Sequence, residues 1–421
     1  MVATGHRTME VGSGRRPSAP GSSSLAYQFS RAQAAIMPSQ SAYIVAARRT
    51  AIGRVGGLHK SRRIEELCAP LVTVALQDSG LEPARIDELI VGNATQGGNP
   101  ARLIALAAGL PETTPAASID RQCGSGLDAI LAAARAIKLG DAHAVVAGGA
   151  EAISMAPWRV AKPRSLQQLP RFLGYEPGAG EERDVPAHVE SAEVLAARLG
   201  IGRAEQDAYA LRSLLKAEQA REHKRFVGEI APLRANPEEA RDQSSVAPDF
   251  KDLAQLAPYM APDGTLTPGN TSSLHDGAAV SVVVSHDVWS SLGKPRGLRL
   301  VAHAARGVAP DEEASAPIEA MRNLKARFKG YKDSDIGHIE MSESSAAQAI
   351  AVIRALELDE ELVNPDGGAL ARGHPFGAAG SVLVTRLFTR MARGESKGRS
   401  LGLATMGVAG GMGLAALFEA V

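Results

Sequence analysis

The chain has 421 residues with 46 basic and 46 acidic side chains, long enough for two or more packed units. That balance gives no electrostatic argument for a nucleic-acid or anionic-membrane partner. No apolar run is long enough to span a membrane, and two cysteines, Cys68 and Cys123, argue against a disulfide scaffold and for a reducing, cytoplasmic setting.

Residues 1–40 are rich in Gly, Ser, Pro and Arg, hold Glu10 as their single acid and show no apolar periodicity, so they are expected to be a disordered extension. Two readings stay open for it: an Arg-rich organellar leader, or a start assigned upstream of a true beginning at Met37. From Tyr43 the pattern changes. Tyr43 to Ala47 reads as a strand, Ile64 to Ser79 as a helix and Glu88 to Val91 as a strand, which is the alternation of an α/β layered fold. Cys123 follows in Asp120-Arg121-Gln122-Cys123-Gly124-Ser125-Gly126-Leu127, ahead of a helix whose apolar stripe is Leu127, Ile130, Leu131, Ala134 and Ile137 and whose stop is Gly140. Ala144 to Gly149 reads as a buried strand closed by glycines. Residues 160–268 turn rich in Pro, Arg, Gln and Glu, with a helical patch at Ala204 to Arg221, and read as an insertion. Asp276-Gly277 then reads as a turn, with a strand at Val280 to Val284. A second half from about Leu298 echoes the first: a strand at Ile339 to Met341, Gly373-His374-Pro375 opening a glycine-rich turn, a helix over Val382 to Met391, and a strand running into glycines at 403–413. A duplicated fold of this kind would bring Cys123 and His374 to one site.

A thiol at a helix start faces unpaired N–H groups that favour its thiolate, and an imidazole nearby can take its proton. The glycines at 124 and 126 are expected to leave room for an acyl group beside the sulfur, and Gly367, Gly368 and Gly373 to let backbone pack around a ligand near His374. The plain alternatives are a small buried cysteine and a tight Gly-His-Pro loop. Gly124-Ser125-Gly126-Leu127-Asp128-Ala129 also matches a dinucleotide fingerprint, but the preceding segment is polar and no ribose-binding acid follows. Glu343 and Asp276 read as structural carboxylates, Lys162, Arg164 and Arg171 as solvated loop charges, and the ten histidines and two cysteines show no metal-ligand spacing, so no metal is expected.

These residues carry a family likeness. The chain after Met37 resembles the thiolases, which make or cleave 3-oxoacyl-CoA through an acyl-cysteine. The resemblance rests on Arg121-Gln122-Cys123-Gly124-Ser125-Gly126-Leu127, Gly148-Gly149-Ala150-Glu151-Ala152-Ile153-Ser154, Gly264-Thr265-Leu266-Thr267-Pro268-Gly269-Asn270, Leu274-His275-Asp276-Gly277-Ala278, Gly367-Gly368-Ala369 with Gly373-His374-Pro375, and Gly402-Leu403-Ala404-Thr405-Met406. It implies a five-layered α-β-α-β-α fold of two repeated halves, residues 41–160 with 269–296 and residues 297–421, and an inserted loop domain at 161–268 over the pantetheine arm. It implies a homodimer or homotetramer acting on acyl-CoA and CoA, with no cofactor because the CoA thioester is a substrate, in fatty-acid or related metabolism. Cys123 would carry the acyl group, His374 would take its proton, backbone N–H groups of Cys123 and Ala409 would hold an oxyanion, and Ser272 would contact pantetheine.

The chain departs from the family at two places. The Asn-Glu-Ala-Phe motif is Ser342-Glu343-Ser344-Ser345, so Ser342 stands where an asparagine holds the oxyanion water. The second cysteine, which moves a proton at the acceptor α-carbon, is Gly407, and Ser344 stands where a variant branch carries that cysteine. Acyl loading on Cys123 is expected to survive, whereas the carbon–carbon step lacks its usual proton carrier. The alternatives are a homologue that binds acyl-CoA or a partner subunit without turnover, and transfer to a non-carbon acceptor.

Overall fold

The computed structural model describes residues 41–163, 165, 167–173, 187–233, 236–243, 250–260, 262–394 and 401–421. The readings of residues 1–40 and of Arg164 fall outside these.

The main sheet is built on β1 (Ala42–Arg49), β2 (Glu88–Gly92), β3 (Ala116–Ile119), β4 (Ala144–Glu151), β5 (His275–Ser285), β6 (Leu298–Gly307), β7 (Ile336–Met341), β8 (Leu401–Val408) and β9 (Met412–Ala420), with a two-residue strand, Gly53–Arg54, paired to the start of β5. Their order across the sheet is β7-β8-β9-β6-β1-β5-β4-β2-β3. Outward from the middle each half runs first strand, last strand, next-to-last, second, so β1-β5-β4-β2 is repeated as β6-β9-β8-β7. An isolated parallel bridge between Ile339 and Val363 stands in the second half where β3 stands in the first. Within the main sheet, among the described residues, the halves pair where Tyr43 and Ile44 of β1 meet Arg299 and Leu298 of β6.

Helices α1 (Ile64–Ser79) and α2 (Pro100–Ala107) cover the outer face of the first half through a core that includes Leu67, Leu71, Val72, Leu89 and Val282. Helices α6 (Ala316–Arg327) and α7 (Ala346–Ala355) cover the second half through Leu324, Ile350, Leu403 and Leu417. Between them lie α3 (Ser125–Leu139) and α8 (Phe376–Phe388), whose apolar residues share one cluster with side chains of both halves, among them Leu127, Ile130, Leu383, Leu387, Val145 and Met406. The result is five layers, helix, sheet, helix, sheet, helix. A helix sandwiched between two sheets must be apolar all round, and every residue from Gly377 to Phe388 is buried.

The two central helices approach closely at their first turns, because glycine stands at each contact. A Cβ on Gly126 would sit 2.5 Å from the Gly377 carbonyl oxygen, and one on Gly380 would sit 2.6 Å from the Leu127 Cβ. Backbone atoms cannot yield as side chains do, so only glycine allows this crossing. The crossing sets the ends of both helices beside each other.

The described part of 161–268 adds no strand to the main sheet. It supplies α4 (Ala187–Leu199) and α5 (Arg203–Glu222), with Val189, Ala192 and Leu195 packed into the same core as α7. Buried charge fastens the segment to both halves: Glu229 accepts from Arg49 of β1 at 2.5 Å and from Arg386 of α8, and Asp242 pairs with Arg49 at 2.6 Å. Burial opposes ionisation of Glu229, but Arg386 and Arg49 outweigh it and hold the carboxyl below its ordinary range.

Three local expectations change. Asp276-Gly277 is not a turn but the start of β5: Gly277 pairs with Glu151, Asp276 accepts from the Ser154 N–H and hydroxyl, and a Cβ on Gly277 would meet Ile52 at 2.7 Å. Here the aspartate anchors and the glycine makes room, which is a different use of a turn-like pair. The helix expected over Val382 to Met391 starts six residues earlier at Phe376, and a π turn over Thr389–Arg393 ends it. The run at 403–413 is a hairpin, β8 and β9 joined by Ala409-Gly410-Gly411, with both glycines at positive φ of 86° and 77°.

Candidate active site

Cys123 precedes the Gly124 cap of α3 by one residue, so the thiol stands just ahead of the helix and not within its first turn. The turn that presents it is tied by Ser125, whose hydroxyl donates to the Gln122 carbonyl at 2.6 Å and accepts from the Arg121 N–H at 2.8 Å. Gln122, between them, has a positive φ of 48°, a conformation that non-glycine residues adopt at a cost and that is often found at functional turns. The other cysteine differs in kind. Cys68 is wholly enclosed in α1, and burial pushes its thiol up to about 12, leaving it inert.

His374 is held from its backbone: its N–H donates to the Ser273 carbonyl at 2.9 Å and its carbonyl accepts from the His275 N–H at 3.2 Å. Its ring meets Phe376 edge-on at 5.8 Å, and Nδ1 has no hydrogen-bond partner among the described residues. Burial, with smaller contributions from His188 and His275, lowers the imidazole from 6.5 to about 4. It is therefore neutral near pH 7 and can accept a proton. The sign follows: protons bind the unfolded chain first as pH falls, so the stability this ring lends is present above about 6.5 and is lost toward 4. With ¹³C-labelled histidine, the His374 ring is expected to titrate near 4; a midpoint near 6.5 would contradict the buried neutral ring.

A cavity of about 310 Å³ joins the two turns, and Cys123, His374, Ser272, Ser344, Gly407 and Ala409 all line it. Cys123 is 8% exposed and His374 5%. The Ser272 hydroxyl and N–H both donate to the Ser344 carbonyl, at 3.2 and 3.0 Å, which joins the segment leading into β5 to the turn before α7.

Ser342 and Glu343 are not in that wall. Ser342 closes β7, where its N–H donates to the Thr405 carbonyl at 3.0 Å, and its buried hydroxyl has no partner among the described residues. Its side chain is not part of the cavity lining. Glu343 accepts from Tyr209 at 3.2 Å, Ser213 at 2.7 Å, Asn364 at 2.8 Å and the Leu370 N–H at 3.2 Å, a fully engaged carboxylate that ties α5 to the segment leading to His374. Lys162 and Arg171 are exposed and do not line the cavity.

The glycines also serve another purpose than expected. A Cβ on Gly124 would meet Leu414 and Val408 at 2.8 Å, one on Gly368 would meet the Glu343 carboxylate at 2.2 Å, and one on Gly373 would meet the His275 ring at 2.2 Å. The room they leave is filled by protein.

Sequence reasoning missed four residues. Glu151, at the end of β4, accepts from the Ala94, Thr95 and Gly377 N–H groups at 3.0, 3.1 and 2.8 Å, and so ties the first half to the turn that carries His374. His188, Glu313 and Gln348 line the cavity. Glu313 lies in Asp311-Glu312-Glu313, a run that reads as a solvated acidic patch; nothing local separates the buried third member from its exposed neighbours.

The chain is similar to known proteins along most of its length. The family model described as thiolase, N-terminal domain, matches residues 42–287, and that described as thiolase, C-terminal domain, matches residues 295–420. An acetyl-CoA acetyltransferase of Chromobacterium violaceum is 37% identical over 400 residues, covering 89% of this chain and 98% of the relative. A beta-ketoadipyl-CoA thiolase of Pseudomonas aeruginosa is 36% identical over 407 residues, covering 91% of this chain and 100% of the relative. The crystal structure of the Bacillus anthracis acetyl-CoA acetyltransferase superposes with a TM-score of 0.82 at 35% identity, covering 90% of this chain and 99% of that one. With its two repeated halves, its paired cysteine and histidine turns and these matches along nearly all the described residues, the chain belongs to the thiolase family of acyltransferases.

Proposed function

We propose that the protein moves a short acyl group between CoA thioesters through an acyl-Cys123 intermediate, as an acetyl-CoA C-acetyltransferase or C-acyltransferase of acyl-CoA metabolism in the cytoplasm. The observation that carries this reading is that Cys123 and His374, 251 positions apart in sequence, line one cavity. In the first step the neutral His374 imidazole takes the Cys123 proton and the thiolate adds to the thioester carbonyl. Backbone N–H groups of Cys123 and Ala409 hold the oxyanion, and CoA leaves with the proton from His374. A cavity of about 310 Å³ is at the small end of ligand sites, roughly 300–1,000 Å³, which favours a short acyl chain. The names of the relatives, an acetyltransferase and a beta-ketoadipyl-CoA thiolase, support a CoA thioester substrate.

A homodimer or homotetramer is part of the proposal. It is supported by β3, an edge strand paired only to β2 among the described residues and half-buried along its length, with Leu103 and Leu106 exposed on the adjacent α2. An open strand edge is a site for pairing with a second chain.

The test is direct. Incubated with acetyl-CoA, the peptide containing Cys123 is expected to gain one acetyl mass, and acetoacetyl-CoA with free CoA to yield acetyl-CoA. No acyl mass on Cys123 would remove the acyltransferase mechanism. Loading without any carbon–carbon turnover would favour a non-carbon acceptor or an acyl-CoA-binding role.

A further inference from the structure

The reaction proposed above needs a group that removes a proton from the α-carbon of the second acyl-CoA, and Gly407 has no side chain to do so. The space where a side chain there would begin is taken: a Cβ on Gly407 would lie 2.8 Å from the Gln348 Nε2. That amide in turn donates to the Ala314 carbonyl at 3.3 Å, and Gln348 is 4% exposed. An amide is neither acid nor base near neutrality. Immediately before Ala314 stands Glu313, 7% exposed and part of the cavity wall, with Oε2 accepting from the Gly410 N–H at 2.8 Å. Gly407, Gln348, Glu313 and the Ala409-Gly410 turn therefore form one wall of the cavity.

Among the described residues, three ionisable side chains besides Cys123 and His374 line the cavity: His188, Tyr259 and Glu313. Burial raises the Tyr259 hydroxyl above its ordinary value, so it is no base. His188 lines the same cavity and is the rival base that the experiment below separates from Glu313. Glu313 is tied to the Gly407 wall, by the Gly410 N–H and by the Ala314 carbonyl that Gln348 holds.

We infer that Glu313 is the catalytic residue that transfers the α-carbon proton in the carbon–carbon step. The carboxylate takes a proton from the methyl group of acetyl-CoA. The electron pair of that C–H bond becomes the enolate, whose carbon forms the new bond to the carbonyl of acyl-Cys123. The carbon–sulfur bond breaks and releases the Cys123 thiolate. Glu313 gives its proton to solvent, the thiolate takes one up, and both groups are restored. In thiolysis the same carboxyl group, protonated, returns the proton to carbon. The Gly410 N–H holds one oxygen in place, so the acid–base group is fixed by the same turn that carries Ala409.

This inference rests on the acyl-Cys123 mechanism, and the two can fail separately. The full chain is incubated with acetyl-CoA in D₂O, with deuterium entering the acetyl methyl followed by NMR and acetylation of Cys123 followed by mass. Glu313→Gln is expected to cut methyl exchange at least about 100-fold, the low end of the range for a general base, while Cys123 acetylation falls less than about 10-fold; Glu313→Asp restores part of the exchange. Exchange in Glu313→Gln within about 10-fold of the parent chain overturns the assignment, as does loss in His188→Gln instead, or an equal fall in exchange and loading, which marks a structural role. No exchange in the parent chain overturns it too. Failure of Cys123 acetylation in the parent chain is the separate result that removes the acyl-enzyme.

Discussion

Replacing Cys123 by serine is expected to abolish acyl loading, with a fall of at least about 10⁴-fold in the single-turnover acylation rate. The two side chains are close in size, and position 123 is 8% exposed in a turn tied by Ser125, so the fold survives the change. What changes is the acid. A hydroxyl is a far weaker acid than a thiol, and the only imidazole proposed to take its proton is lowered to about 4 by burial, too weak a base to compensate. Mass spectrometry of the isolated chain after acetyl-CoA treatment checks it. Loading that persists in Cys123→Ser would mean that another group carries the acyl chain. Cys68 is not that group, since its thiol is pushed up to about 12.

Glu151→Ala is expected to lower unfolding free energy by roughly 3 kcal/mol or more, because it strands the Ala94, Thr95 and Gly377 N–H groups at roughly 1–3 kcal/mol each. Glu151 is fully buried, so no bulk water replaces those bonds. The loss also reaches the chemistry: the Gly377 N–H lies three residues past His374, at the start of α8, and its bond to Glu151 sets how that helix end docks against β4. Glu151→Gln is expected to be nearly as harmful, since its amide would turn an N–H₂ toward backbone donors. Urea denaturation of both variants, with acylation rates of the folded fraction, measures the two effects. A variant as stable as the parent chain would show that these bonds are replaced by others.

Much of the architecture was legible because periodicity reports burial. The stripe from Leu127 to Ile137 and the glycine at 140 marked α3, and Ala144 to Gly149 marked β4, since one face or both must be apolar for those elements to pack. Asp276-Gly277 misled because the same two residue types serve a turn or, as here, a close strand contact, and only the neighbours Ile52 and Ser154 decide which. The start of α8 was missed because Phe376-Gly377-Ala378-Ala379-Gly380 has no periodic stripe; from Gly377 onward it is buried, so there is no polar face to reveal the helix.

At the site, the sequence by itself determined the chemical types: one thiol and one imidazole in glycine-rich turns, the absent side chain at Gly407, and the serines at 272, 342 and 344. The tertiary structure alone decided their surroundings. It filled the glycine gaps with His275, Glu343 and the opposing helix instead of ligand, and brought Glu313 and His188 into the cavity wall. The reason is physical: local patterns record how a residue sits relative to its own helix or strand, whereas which groups share a cavity depends on contacts between segments as far apart as Cys123 and Ala409, and no short-range spacing encodes those.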